Sequence, residues 1–133
     1  MKQVGDVAEY ISARNKDLFS VFRDKLEKAK RVRIPDIVRD TVKSPAKRFY
    51  ISDRRAQDVI TRMLEGESIE GMRPERKRMF QEIYKRCLEE MNAGKAMPLV
   101  ELVRDVISQP APEFYITPGS AIVYLCRIKN GMK

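Results

Sequence analysis

The chain has 133 residues, 43% hydrophobic and 35% charged, with 27 lysines and arginines against 19 aspartates and glutamates and a formal charge of +8. That length bounds it to one compact body, or two small units sharing a core, and the apolar share excludes a chain too polar to fold. No apolar run approaches the roughly 18 residues that cross a bilayer, no apolar leader follows Met1-Lys2-Gln3-Val4-Gly5-Asp6, and there is no histidine; the expectation is a cytoplasmic protein with no membrane role, no cofactor and no metal.

In chain order, Val4, Val7, Ala8 and Ile11 recur at helical spacing over residues 4–14. Asn15 and Asp17 are expected to interrupt or re-cap the chain. A second helix then carries Leu18, Val21, Phe22 and Leu26 on one face and Arg23, Lys25, Lys28 and Lys30 on the other. It runs out in Lys28-Ala29-Lys30-Arg31-Val32-Arg33, part of which answers the negative end of the helix macrodipole. A short helix over 34–43 has Pro35 in its first turn, where proline is tolerated, and an apolar stripe of Ile34, Ile37, Val38 and Val42. Ser44-Pro45 stops it, because the residue before proline resists the helical region. Phe49-Tyr50-Ile51, aromatic and branched, reads as extended. Ser52 caps a helix over 53–65 with Ala56, Val59, Ile60 and Met63 inward, and Gly66 closes it.

Residues 67–74 read as a linker, and the pattern then restarts. A helix over 74–92 places Phe80, Ile83, Tyr84, Cys87 and Leu88 on one side, and Asn92-Ala93-Gly94-Lys95 breaks it. A short helix spans 98–108. A second Phe-Tyr-Ile follows at 114–116, then Thr117 as cap, Pro118 at the first helical position, a helix to 129, and Gly131 as its close.

The restart is an internal repeat. At an offset of 65, Val38, Arg39, Asp40, Pro45, Ala46, Phe49, Tyr50, Ile51, Ala56, Arg62 and Gly66 all find the same residue again. Upstream the offset is 62, pairing Leu18 with Phe80, Val21 with Ile83, Phe22 with Tyr84, Leu26 with Leu88 and Glu27 with Glu89. The expected fold is mainly α: two tandem copies of a helix, short helix, extended Phe-Tyr-Ile segment and capped helix, packed as a pseudo-two-fold helical body. Copy one is 1–66, the linker 67–74 and copy two 75–133.

Most matched positions are apolar or conformational, as a fold demands. Arg39-Asp40 and Arg104-Asp105 are charged in both copies and should have fixed partners, either struts that pin the Phe-Tyr-Ile segment or the third helix, or arginines presented to a ligand. The unmatched positions differ mainly in charge. Lys47-Arg48 stands against Pro112-Glu113, Arg54-Arg55 against Gly119-Ser120, and Lys43 against Ser108. Residues 1–66 hold 16 basic and 10 acidic side chains, net +6; residues 67–133 hold 11 and 9, net +2. Copy two, with Ile122, Val123 and Tyr124 on its last helix, suits packing or protein contact.

Walker A, GxGxxG, HExxH and GxSxG patterns are absent. With no histidine to act as general base, and carboxylates such as Glu89-Glu90 on charged helix faces, the expectation is a protein that is not an enzyme. Cys87 and Cys126 form no CxxC and read as reduced, buried thiols, with a disulfide left open. The short helix, turn and capped helix have the order of a helix-turn-helix, but residues 44–51 are too long for its 3–4-residue turn. The Pro-Ala-x-x-Phe-Tyr-Ile-Ser/Thr segment followed by an alanine-bearing helix resembles small uncharacterised tandem-repeat proteins of bacterial mobile elements and phages; the resemblance implies a context and no activity.

A basic balance favours polyanions. The expected function is nucleic-acid binding, DNA or RNA, through phosphate contacts on copy one. The anchors are Lys30, Arg31, Arg33, Lys47, Arg48, Arg54 and Arg55, the last two at a helix N-terminus that already attracts anions. The alternative is an interaction or assembly protein whose basic patch meets an acidic protein partner, with Met72, Tyr124 and Met132 exposed.

Overall fold

The computed structural model describes residues 7–129, with side chains over 10–128. The expected roles of Val4, Gly131 and Met132, and of the Val7 and Ala8 side chains, lie outside the described residues. Six α-helices follow one another: α1 (Val7–Lys28), α2 (Ile34–Val42), α3 (Asp53–Leu64), α4 (Pro74–Asn92), α5 (Leu99–Ile107) and α6 (Pro118–Lys129). The protein is mainly helical, and none of these helices is long and apolar enough to cross a membrane.

Local chemistry sets the helix ends. The Ser52 hydroxyl accepts from the Arg55 amide at 3.2 Å, and the Thr117 hydroxyl from the Ser120 amide at 3.1 Å. Gly66 takes a φ of +90°, so that its amide bonds the Met63 carbonyl and the next amide, of Glu67, bonds Arg62. That pair of bonds satisfies two orphan carbonyls and needs a left-handed residue, which glycine supplies without strain. The short helices are strongly one-sided: Ile37, Val38, Thr41 and Val42 are buried in α2, and Leu102, Val103, Val106 and Ile107 in α5. Ile34, expected in the α2 stripe, is 43% exposed.

Two local expectations are corrected. Asn15 and Asp17 do not break the chain; α1 runs straight through them. Both are weak helix formers that favour caps when nothing else engages them. Here Asp17 is buried and its carboxylate is used by a distant segment, so a tertiary contact overrides the local preference. Phe49-Tyr50-Ile51 is not extended either. The Ile51 amide bonds back to the Phe49 carbonyl at 3.0 Å, closing a three-residue turn on Tyr50. At the matching place Tyr115 has a φ of +58°, alone among the described non-glycine residues.

The two Phe-Tyr-Ile segments cross at the centre. Ala46 and Ala111 exchange both backbone hydrogen bonds, at 2.9 and 3.0 Å, in a single antiparallel bridge. The Phe49 amide bonds the Ile107 carbonyl, and the Phe114 amide bonds the Val42 carbonyl, each at 3.0 Å. Phe49 stacks on Tyr115 with centroids 6.1 Å apart, and Tyr50 on Phe114 at 6.4 Å. Every one of these contacts joins one segment to the other's side of the molecule. As a result the chain changes sides at each crossing. α6 packs on α1 and α2, while α3 packs on α4 and α5. The buried residues of both groups form one continuous core through Phe49, Ile51, Phe80, Ile83 and Ile107.

Met72 and Tyr124, expected exposed, are partly buried against this core; Arg14 lies 4.3 Å over the Tyr124 ring. Cys87 is buried as expected, whereas Cys126 is exposed, and both are free thiols.

Candidate nucleic-acid interface

The basic corner between α1 and α2 follows from how α1 ends. Its last turn projects Lys25 and Lys28, and the chain then turns through residues 29–33 before Pro35 opens α2. Lys25, Lys28, Lys30, Arg31 and Arg33 thereby line one shallow cleft, together with Asp24, Asp36 and Asp40. Lys28 pairs with Asp24 at 3.2 Å and Arg33 with Asp36 at 3.3 Å. Lys25, Lys30 and Arg31 have no ion-pair partner among the described residues. Lys25 is half-buried, while Lys30 and Arg31 are exposed and can meet successive phosphates without reading bases.

A second, smaller basic depression lies at the start of α3, lined by Ser52, Arg54, Arg55 and Asp58. Arg55 pairs with Asp58 at 3.7 Å, and its guanidinium lies 6.0 Å from the Phe80 ring centre. Arg54 is exposed and has no ion-pair partner among the described residues. Because α3 packs on α4 and α5, this depression belongs to the other helix group from the α1–α2 corner.

The seven expected anchors therefore divide. Lys30, Arg31 and Arg33 come together, as do Arg54 and Arg55, in separate places. Lys47 is exposed on the crossing segment, with its amide held by Asp17 at 2.9 Å. Arg48 turns inward: it donates to the Phe49 carbonyl at 3.0 Å and the Ile51 carbonyl at 3.2 Å, bracing the turn. Lys25 and Lys28 are not among the expected anchors, although their spacing on one helix face leads straight into the Lys30–Arg33 run. Nor are Arg73 and Arg76, which line a depression with Thr117 and Ser120 at the start of α6; no pattern along the chain brings the start of α4 to that helix end.

The matched arginines part company. Arg104 donates to Asp53 at 3.1 Å and so ties α5 to the first residue of α3. Arg39 pairs with Asp36 of its own helix. The position that corresponds to Asp53 is Pro118, which has no carboxylate to offer.

The crossing is locked on one side by Asp17. One of its oxygens accepts from the Tyr50 hydroxyl at 2.8 Å as well as from the Lys47 amide. Burial pushes the Tyr50 hydroxyl well above the usual tyrosine range; the bond to Asp17 and its charge push the same way, and Arg48 opposes them. Burial raises Tyr115 to about 12, with Glu82 and Glu113 adding and Arg86 and Arg78 opposing. Burial, then Glu90, raise the Cys87 thiol to about 11.

These three values are raised in the folded state, so the unfolded chain ionises first as pH rises. Their stabilisation is whole below about pH 8.5 and is lost progressively toward about pH 12, at up to about 1.4 kcal/mol per pH unit for each group. Melting temperature should hold level to about pH 8.5 and then fall, most steeply above about pH 10. Tyr50→Phe should shallow that slope. A melting temperature unchanged between about pH 9 and 11.5 would refute the linkage.

Comparison of the chain with protein-family models, with curated proteins and with solved structures finds no match. Among the described residues no cluster of three or more metal-ligating side chains occurs.

Proposed function

We propose that the protein is a non-enzymatic nucleic-acid binder that grips phosphates at the α1–α2 corner. The observation that carries this reading is the convergence of Lys25, Lys28, Lys30, Arg31 and Arg33 on one cleft. Arg54 and Arg55 serve as a second, separate phosphate contact, and Arg48 acts as a brace for the crossing turn. Binding of this kind is strongly salt-dependent and weakly sequence-specific. The chain is, in this reading, a tandem duplication (1–66 and 75–133, joined by 67–74) whose third helices have exchanged places about a pseudo-two-fold axis. The reciprocal contacts of the two crossing segments support that reading. So does the shared offset of 65 between α2 and α5 and between α3 and α6.

The test is fluorescence anisotropy of labelled double-stranded DNA and single-stranded RNA over a range of salt. The Lys30→Glu, Arg31→Glu double variant should bind about tenfold more weakly and lower the salt slope by about 2. Unchanged affinity in that variant would sink the site. The competing reading is an interaction or assembly protein, in which the same cleft meets an acidic protein surface. An apolar groove lined by Phe19, Phe22, Leu26, Ile34 and Ile122 favours a protein contact.

A further inference from the structure

The two helix groups do not hold their third helices equally. α3 is tied to α5 by two side chains: Arg104 donates to Asp53 at 3.1 Å, and Gln57 donates to the Val100 carbonyl at 2.8 Å. At the offset of 65, Pro118 stands in place of Asp53 and Ile122 in place of Gln57, so α6 has neither tie to α2. Arg39 pairs instead with Asp36 of its own helix. Burial differs in the same sense. α3 buries Ala56, Val59 and Ile60; of the matching residues in α6, Ala121 and Leu125 are buried and Tyr124 only partly so.

The connections into the two helices differ as well, although both contain Phe-Tyr-Ile. Before α3, Tyr50 sits in its three-residue turn at an ordinary φ, with its hydroxyl fastened to Asp17 at 2.8 Å. Before α6, Tyr115 takes a φ of +58°, a region that costs any residue with a Cβ. Met79 stands at the place of Asp17 and offers no carboxylate. The same tripeptide is thus relaxed before one helix and strained before the other. Residues held in such conformations cluster at switch regions.

Packing beside α6 is also open. A groove of about 350 Å³ runs between it and α1 and α2, lined by Phe19, Phe22, Leu26, Val38, Ile122 and Leu125 among others. Ile122 and Val123 stay 39% and 47% exposed. We propose that α6 is a latch, which swings off α1 and α2 as a unit about Tyr115 while the rest of the fold stays closed. Opening relieves the left-handed residue and uncovers the apolar face of α1 and α2. It gives up the burial of Ala121 and Leu125 and the Arg14 contact with the Tyr124 ring. The Ala46–Ala111 bridge and the Phe114–Val42 bond precede the hinge in the chain and remain made. Elements with few buried contacts open in this way below the free energy of global unfolding.

Hydrogen exchange of the intact chain is the test, with α3 as the internal standard. Protection of the amides of 122–128 should lie at least about a hundredfold below that of 57–63. It should also depend only weakly on denaturant, because the opening exposes little surface. The ties can then be moved between helices. Pro118→Asp with Ile122→Gln gives α6 the residues that hold α3, and should raise its protection about tenfold with α3 unchanged. Asp53→Pro with Gln57→Ile makes the reverse exchange, and should lower α3 protection about tenfold.

Equal protection of the two helices in the unsubstituted chain overturns the proposal. So does α6 exchange that follows the full denaturant slope of global unfolding, or α6 protection that the transplanted residues leave unchanged. The readout needs no nucleic acid, so failure of the phosphate reading leaves this test intact.

Discussion

Replacing Phe49 with alanine should destabilise the fold by about 4 kcal/mol. The ring is 1% exposed and lies where the two crossing segments meet. It stacks on Tyr115 at 6.1 Å with planes 14° apart, and the Arg86 guanidinium sits 5.0 Å from its centre on the other element. Truncation removes the transfer free energy of a phenyl ring, opens a cavity among side chains of both helix groups, and leaves Tyr115 without its partner in a left-handed conformation. Collapse around the gap is restricted, because the backbone there is tied by the Ala46–Ala111 bonds and by the bonds to Val42 and Ile107. Chemical denaturation should show a lower midpoint with an unchanged slope, and thermal melting a fall of about 10–15 °C. Phe49→Leu, which keeps most of the volume, should lose less than half as much. A loss under about 1 kcal/mol for the alanine variant would mean that the crossing is not the centre of the core.

Asp17→Ala is expected to destabilise by about 3 kcal/mol. The carboxylate lies in the middle of α1, 5% exposed, and a single oxygen accepts from both the Tyr50 hydroxyl and the Lys47 amide. An alanine there is a better helix former, so local propensity predicts the opposite sign. The tertiary term is larger, because two donors would be left without a partner inside the protein. In a Tyr50→Phe background the same substitution should cost roughly 1 kcal/mol less, since only the Lys47 amide is then orphaned. A stabilised Asp17→Ala variant would show that the lock contributes nothing, and strict additivity with Tyr50→Phe that its Tyr50 bond contributes nothing. At the corresponding position in α4 stands Met79, 3% exposed; that side of the crossing is packed with a thioether where this side is pinned by a charge.

The candidate interface was legible only in part. Lys30, Arg31 and Arg33 are neighbours along the chain and stay neighbours in space, because a short turn between two helices leaves them nowhere else to go. Lys47-Arg48 and Arg54-Arg55 are also chain neighbours, yet Arg48 is drawn inward by two carbonyls, and Arg54 and Arg55 share a depression that Lys47 does not line. Adjacency in sequence says little once the chain turns tightly, since successive side chains then leave in unrelated directions. Arg73, from the segment that reads as a linker, and Arg76, from the first turn of α4, reach the α6 N-terminus, which composition cannot anticipate.

Some of this protein is written in local chemistry. The 3.6-residue stripes, the serine and threonine caps, the prolines and the left-handed Gly66 place α2 through α6 to within about two residues, because each signal acts over a few positions. The match at an offset of 65 is likewise legible in the sequence. The tertiary structure alone decided that α1 runs unbroken through Asp17, that Phe-Tyr-Ile turns instead of extending, and that α3 and α6 each pack on the other side of the crossing. The reason is common to all three. A buried carboxylate, a pair of stacked rings and a reciprocal backbone bridge draw their free energy from partners some 30 to 65 positions away, and no window along the chain contains both members of such a pair.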